Sequence, residues 1–250
     1  MKEEKFGVGT KHLTKEGHEI EIVGKISGDK RRLRFKNGHE VETGCSNIRK
    51  GMIKNPYHLS VFGVGCLGLG YYKGSVNRKH TPEYIAWKHM LERCYDEKCQ
   101  EKNPTYKGTM VCSEWHNFQN FAKWYHENYP KIKGVKFDLD KDLLQENVED
   151  KLYSPETCTF LPHNVNAFLA NKNPRNTSGY TGVSWHKPNK KWMANMNLFG
   201  EEKKKTLGRF DTPELASQSY QKARAEQSEK VKDYLRSLNY LPEETIQLVK

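Results

Sequence analysis

Asn195 and Asn197, with Lys204 and Thr206 after them and Ser184 and His186 before, can all hydrogen-bond and none carries negative charge. Side chains alternate across a β-strand, so these residues share one face if 182–186, 191–198 and 204–210 are strands. Trp192, Ala194, Met196, Leu198, Lys205 and Leu207 then fall on the other face, and most of them suit a core. A sheet of this width fits a major groove, where Asn pairs with adenine and Lys with guanine or phosphate. Charge points the same way. Between 172 and 210 nine basic residues stand against two acidic ones, a net of +7. The whole chain has 42 Lys and Arg against 31 Asp and Glu, a net of +11, which suits a polyanionic partner. A merely solvated sheet face would carry more Glu.

These strands need a helix behind them. Asp211-Thr212-Pro213-Glu214 is a helix start, and Leu215, Ala216, Tyr220 and Ala223 follow on one face. The stretch from 231 to 250 looks polar. Upstream, residues 6–57 alternate as short strands, with Asn37-Gly38 as a tight hairpin turn whose two central residues take positive φ. Gly63, Gly65, Gly68 and Gly70 lack a following Gly-Lys-Ser/Thr, so a flexible connector is expected rather than a phosphate loop. From Thr81 onward two aromatic stripes at helical spacing, Tyr84, Trp87, Leu91 and Tyr95, then Trp115, Phe118, Phe121 and Tyr125, belong to core-facing helices. The six cysteines form no Cys-x-x-Cys pair, and the irregular spacing of Cys94, Cys99, Cys112 and His116 argues against zinc and for reduced thiols. No apolar run is long enough to span a bilayer and no signal-like segment opens the chain, so an intracellular protein without membrane contact is expected.

The segments Gly179-Tyr180-Thr181-Gly182-Val183, Lys191-Trp192-Met193-Ala194, Leu207-Gly208-Arg209-Phe210-Asp211-Thr212 and Glu214-Leu215-Ala216 with Tyr220 together resemble an AP2-type DNA-binding domain. The resemblance implies a three-stranded sheet inserted into the major groove of double-stranded DNA. It carries contact roles to Thr181, Ser184, His186, Asn195, Asn197, Lys204 and Thr206, with Lys191 and Arg209 as further DNA-binding residues. Plant members put Arg and Trp at many of those positions, where this chain has small polar residues.

A second resemblance lies upstream. Asp138-Leu139-Asp140-Lys141-Asp142-Leu143, then 153–161, then His163-Asn164-Val165-Asn166 resemble the ββα-metal core of HNH homing endonucleases. Phage-borne members often join such a core to a separate DNA-reading module, which implies a phage-encoded protein in the cytoplasm of a bacterial host. The family's chemistry uses Mg²⁺ or Mn²⁺ against phosphate charge and a base, usually His, to activate water. By position, Asp140 is a metal ligand with Asn164 or Asn166 as the second. Lys141 stands where the family has its His, and an ammonium group has no lone pair with which to take a proton. The family's structural Asn aligns with Thr157. Three readings stand: a scaffold without catalysis, a substitute base among Asp138, Asp142 and His163, or an accidental likeness.

The expected architecture is multidomain α+β. It comprises a small SH3-like β-barrel over 1–62, a Gly-rich connector over 63–80 and a degenerate HNH domain over 81–170. A linker over 171–178, an AP2-like domain over 179–230 and a helical tail over 231–250 complete it. Two other function classes remain beside the nuclease: a non-catalytic regulator, and an interaction protein whose N-terminal barrel binds a host or phage protein.

Overall fold

The computed structural model describes residues 5–146, 148–170, 178–201 and 203–250. The expected linker lies outside them except for Ser178, as do Glu202 and the first four residues. The fold is α+β, with several small sheets, mostly antiparallel, and seven helices among the described residues. It divides into two compact units, one of 1–105 with 113–123, the other of 106–112 with 124–250.

The first unit opens with strands β1 (Lys11–Leu13), β2 (Glu19–Ser27), β3 (Lys30–Phe35) and β4 (Glu40–Gly44), an antiparallel meander in that order. Alternation along β2 and β3 buries Ile20, Ile22, Leu33 and Phe35, joined by Ile48 and Ile53 from helix α1 (Cys45–Lys50) and the chain after it. A barrel was expected; β1 has only three residues, and among the described strands no ladder joins it to β4. The turn at Asn37-Gly38 also differs from expectation. Phe35 N–H donates to His39 O at 2.9 Å, enclosing three residues, and only Gly38 takes positive φ (+83°). Asn37 Oδ1 instead accepts from the His39 amide at 3.1 Å, a side-chain turn that frees Asn37 from the left-handed region.

The glycine segment is packed rather than a loose connector. Gly65 lies where a Cβ would come within 2.5 Å of Leu91 and 2.9 Å of Trp87, on helix α2 (Pro82–Tyr95). Gln119 bridges two of this segment's carbonyls, donating to Leu67 O and Tyr72 O at 3.1 and 2.9 Å. A hairpin of β5 (Ser75–Val76) and β6 (Lys79–His80) leads into α2, and α3 (Glu97–Lys102) follows it. Trp87, Met90 and Leu91 are fully buried, as the aromatic stripe requires, and Trp87 Nε1 donates to Trp115 O at 2.6 Å.

In the second unit β7 (Met110–Val111) pairs in parallel with β9 (Leu152–Tyr153). The end of helix α4 (Phe118–Asn128) supplies Trp124 and Tyr125, whose rings lie 5.2 Å from that of Phe160. Strand β8 (Phe137–Asp140) pairs antiparallel with β10 (Thr159–Pro162), and α5 (His163–Leu169) packs on both. Strands β11 (Val183–His186), β12 (Lys191–Asn197) and β13 (Lys204–Phe210) make an antiparallel sheet, covered by α6 (Pro213–Leu238). Thr212 caps α6 by accepting from the Leu215 amide, Pro213 occupies its first turn, and Asn239 ends it in the left-handed conformation.

The boundaries expected at 170 and 230 do not divide this unit. Helix α6 runs unbroken for 26 residues and buries Ala216, Tyr220, Val231 and Leu235. Those side chains belong to one core with Leu161, Val165 and Phe168 of the ββα segment, Val183, Ala194 and Met196 of the sheet, and Ile246 and Val249 of the tail. Helix α7 (Glu243–Gln247) packs on α6. Only the apolar positions of the tail are inward, so its polar average conceals a buried stripe.

Leu235→Ala should therefore cost about 2–5 kcal/mol, as for a buried core leucine. Urea unfolding followed by tryptophan fluorescence measures it; a change below ~0.5 kcal/mol would show that the tail is dispensable to the core.

Candidate nucleic-acid interface

Gly182 positions the first strand. Its φ is +74°, and a Cβ there would meet the Tyr220 ring at 2.2 Å and Asn195 O at 2.9 Å, so only glycine brings the chain this close to α6 and β12. Thr181, just before it, is exposed. Register then sorts the faces. Val183, Ala194 and Gly208 are cross-strand neighbours on the helix side, and so are Trp185, Trp192 and Phe210. Ser184, Met193 and Arg209 are neighbours on the other side, where Asn195 faces Thr206 and Asn197 faces Lys204. His186 pairs with Lys191 at the end of the ladder.

One irregularity decides the composition of that face. Ala194 pairs with Gly208 but Asn195 pairs with Thr206, so Leu207 is an extra residue in β13. A bulge of one residue inverts the alternation beyond it. Leu207 and Phe210 both pack toward the core, and Arg209 moves to the outward face, which strict alternation denies it.

Exposure separates the expected contact residues into two kinds. Ser184, Asn197, Lys204, Thr206 and Arg209 are open to solvent. Lys191 is half-exposed and bound to Asp211 at 2.5 Å, an ion pair that water largely screens. Asn195 is 8 % exposed, contrary to the fully exposed row expected; its Oδ1 accepts from Thr206 Oγ1 at 3.0 Å. His186 is half-buried, with Nδ1 inward and lacking a hydrogen-bond partner among the described residues. Met193, absent from the expected contact residues, shares this face by alternation with Asn195 and sits between Ser184 and Arg209.

The ββα segment holds two groups of charged residues. At the end of β8 the Asp140 carboxylate is 6 % exposed, and its Oδ1 accepts from the amides of Asp142 and Leu143 at 3.0 and 2.8 Å. Burial pushes its pKa up despite those bonds. Lys141 is buried too, with Nζ 2.8 Å from Asp142 Oδ1 and 5.1 and 5.7 Å from the ring centres of Tyr106 and Tyr153. Burial works to raise the Asp142 pKa, but hydrogen bonds from Lys141 and Lys151 outweigh it and hold the carboxyl below the usual aspartate range. Gln145 closes the loop, donating to Lys141 O and Leu152 O at 2.7 and 2.9 Å. Thr157 Oγ1, in the place of the expected structural Asn, donates to Leu152 O at 2.5 Å and accepts from the Ser154 amide at 3.0 Å. Nearby, burial pushes the Cys158 thiol up to about 12.

The second group is open. His163, the first residue of α5, places Nδ1 2.6 Å from Asp138 Oδ2, and both side chains reach solvent. Asp138 and Asp140 are two residues apart on one strand, so their α-carbons lie ~7 Å apart. Asn164 is exposed and its Oδ1 accepts from the Val165 amide at 3.0 Å; Asn166 is half-buried. A Mg²⁺ or Mn²⁺ ion needs several oxygens turned into one accessible space. The inward Asp140 carboxylate, engaged by backbone, does not fit that requirement.

Asp142 has a depressed folded pKa, so its stabilisation is complete above the ordinary aspartate value of 3.8 and disappears as pH falls through the folded value. Asp142→Asn should lower stability measurably at pH 7 and make little difference at pH 2. Urea midpoints at the two pH values test this, and an equal loss at both would assign the residue a role independent of its charge.

No protein-family model, no curated protein and no solved structure matches the chain.

Proposed function

We propose that the chain binds double-stranded DNA by laying the outward face of β11–β13 in the major groove, as an AP2-type domain does. The observation that carries this reading is the bulge at Leu207, which aligns Arg209 with Met193 and Ser184 on the face that already presents Thr206, Asn197 and Lys204. Arg209 suits the O6 and N7 of guanine, Asn197 suits adenine, and the Met193 side chain suits a thymine methyl. Lys204, Lys205 and the strand-turn Lys187 and Lys190 are exposed around them, where phosphates would lie. Asn195 supports the surface from beneath through Thr206 rather than touching bases.

The ββα segment serves this function as a frame. Its strand pair and helix match the order of an HNH core, but Lys141 is a buried structural cation and Asp140 a buried turn-former. Homing-endonuclease ancestry with catalysis lost accounts for both.

One observation favours a cleaving enzyme instead. With Asp138 on Nδ1, a neutral His163 directs the lone pair of Nε2 outward, the arrangement of a general base oriented by a carboxylate. Incubation of supercoiled plasmid with the protein and Mg²⁺ or Mn²⁺ separates the readings. Intact plasmid is expected; nicking abolished by His163→Ala would make the chain a nuclease.

DNA binding itself is tested by affinity for duplexes selected from a random pool. Affinity should fall about tenfold or more between 50 and 200 mM salt. Arg209→Ala and Asn197→Ala should each relax preference at one base pair, by about 1–3 kcal/mol, whereas Lys204→Ala should weaken all duplexes alike. A flat salt profile, or unaltered binding by Arg209→Ala, would remove the sheet from the interface.

A further inference from the structure

We propose that Glu16, His18 and His58 form a binding site for a divalent transition-metal ion of the zinc class, in the first unit and apart from the DNA-facing sheet. One ligand atom from each residue lies within 4.8 Å of the others, and this is the one group of three or more His, Cys, Asp or Glu found so placed among the described residues. His18 Nε2 and His58 Nδ1 are 3.0 Å apart, their rings nearly perpendicular at 86°. Two imidazoles on a tetrahedral ion with metal–nitrogen bonds of about 2.0–2.1 Å hold their nitrogens about 3.3 Å apart. The two nitrogens share a hydrogen bond, so an ion entering between them displaces that proton and widens the pair by a few tenths of an ångström.

The three ligands are positioned by backbone rather than by chance proximity of long side chains. Glu16 and His18 lie in and beside the turn between β1 and β2. Thr14 closes that turn, donating its amide to His18 O at 2.9 Å while its Oγ1 accepts from the His18 amide at 3.1 Å. His58 follows a second turn, its amide bonded to Asn55 O at 3.0 Å. The first turn is tied to the end of α1, four residues before the second turn, by Lys15 N–H donating to Gly51 O at 2.9 Å. Gly51 permits that approach, because its φ is +63° and a Cβ there would lie 3.0 Å from Lys15 N. Outer contacts orient the ligands in turn. The Asn55 amide lies 3.4 Å from Glu16 Oε2, and the core residue Phe35 meets the His18 ring edge-on at 5.9 Å.

Ligand type selects the ion. Two imidazoles and one carboxylate suit zinc, cobalt, nickel or copper, whereas calcium and magnesium prefer oxygen throughout. Three protein ligands leave at least one position for water. The consequence for the fold is a clip joining residues 40 positions apart in a meander whose buried cluster, among the described residues, has six apolar side chains. Small cores gain most from such a clip.

The test is titration of the chelator-stripped full-length protein with Co²⁺, then Zn²⁺. One equivalent of Co²⁺ should give visible ligand-field bands without a thiolate charge-transfer band, Zn²⁺ should displace it, and thermal melting should rise on metal addition. His18→Ala and His58→Ala should abolish these effects, each variant melting at the same temperature with metal as in EDTA. Glu16 is exposed, so Glu16→Gln leaves the fold intact, and it should weaken binding about tenfold or more. Absence of binding, a thiolate band placing the ion on cysteines, or undiminished affinity in Glu16→Gln with either histidine variant would overturn the site.

Discussion

Burial of one long face of α6 is the constraint on which the second unit depends. The first half of that helix covers the inner face of the three-stranded sheet, whose outer face is largely polar and charged. The second half carries Val231 and Leu235 into the same core as Leu161, Val165 and Phe168. Arg224, between the halves, lies 3.6 Å over the Phe168 ring and donates to Phe168 O at 3.0 Å, satisfying the end of α5 with a cation that burial makes easier to deprotonate than usual. The second half of the helix closes the face of the ββα segment opposite the one on which Trp124, Tyr125 and Tyr129 pack against Phe160.

That dependence explains the inward turn of the charges at the end of β8. With the strand pair sharing the core of α6 and its loop folded against Tyr106 and Tyr153, Asp140 lies among backbone amides and Lys141 among aromatic rings, while the exposed Asp142 partners Lys141 from the rim. A buried cation survives there only with partners, and it has a carboxylate at 2.8 Å and two ring faces. Breaking such an arrangement costs more than forming it yields, so the residues persist as parts of the fold whether or not they once touched a substrate.

Much of this was legible in the sequence. Alternation in Lys191–Asn197 gave the right strand with the right inward face, and Thr212-Pro213 gave the right helix start, because both signals are local. The errors share a cause in distant partners. Gly208 beside Leu207 is the one local sign of the bulge, but its position is fixed only where β13 seats both Leu207 and Phe210 against the core. The glycines at 65 to 70 looked loose because the rings and amide that press on them lie between 20 and 50 residues away. The burial of Asn195 depends on its cross-strand hydroxyl. His18 and His58 carry no spacing signature at all, since a pair 40 residues apart becomes a pair only when the two turns meet.

The bulge in β13 also acts as a phase shift. Residues on either side of it obey opposite parity. Deleting the extra residue, Leu207, would leave Arg209 opposite Met193 and Phe210 opposite Trp192 on a regular ladder. A residue inserted with no second bulge to absorb it would instead exchange inside for outside over everything that follows. The chemistry of the outer face is thus encoded partly by residue identity and partly by an odd or even count, and point substitution alone cannot reach the second of these.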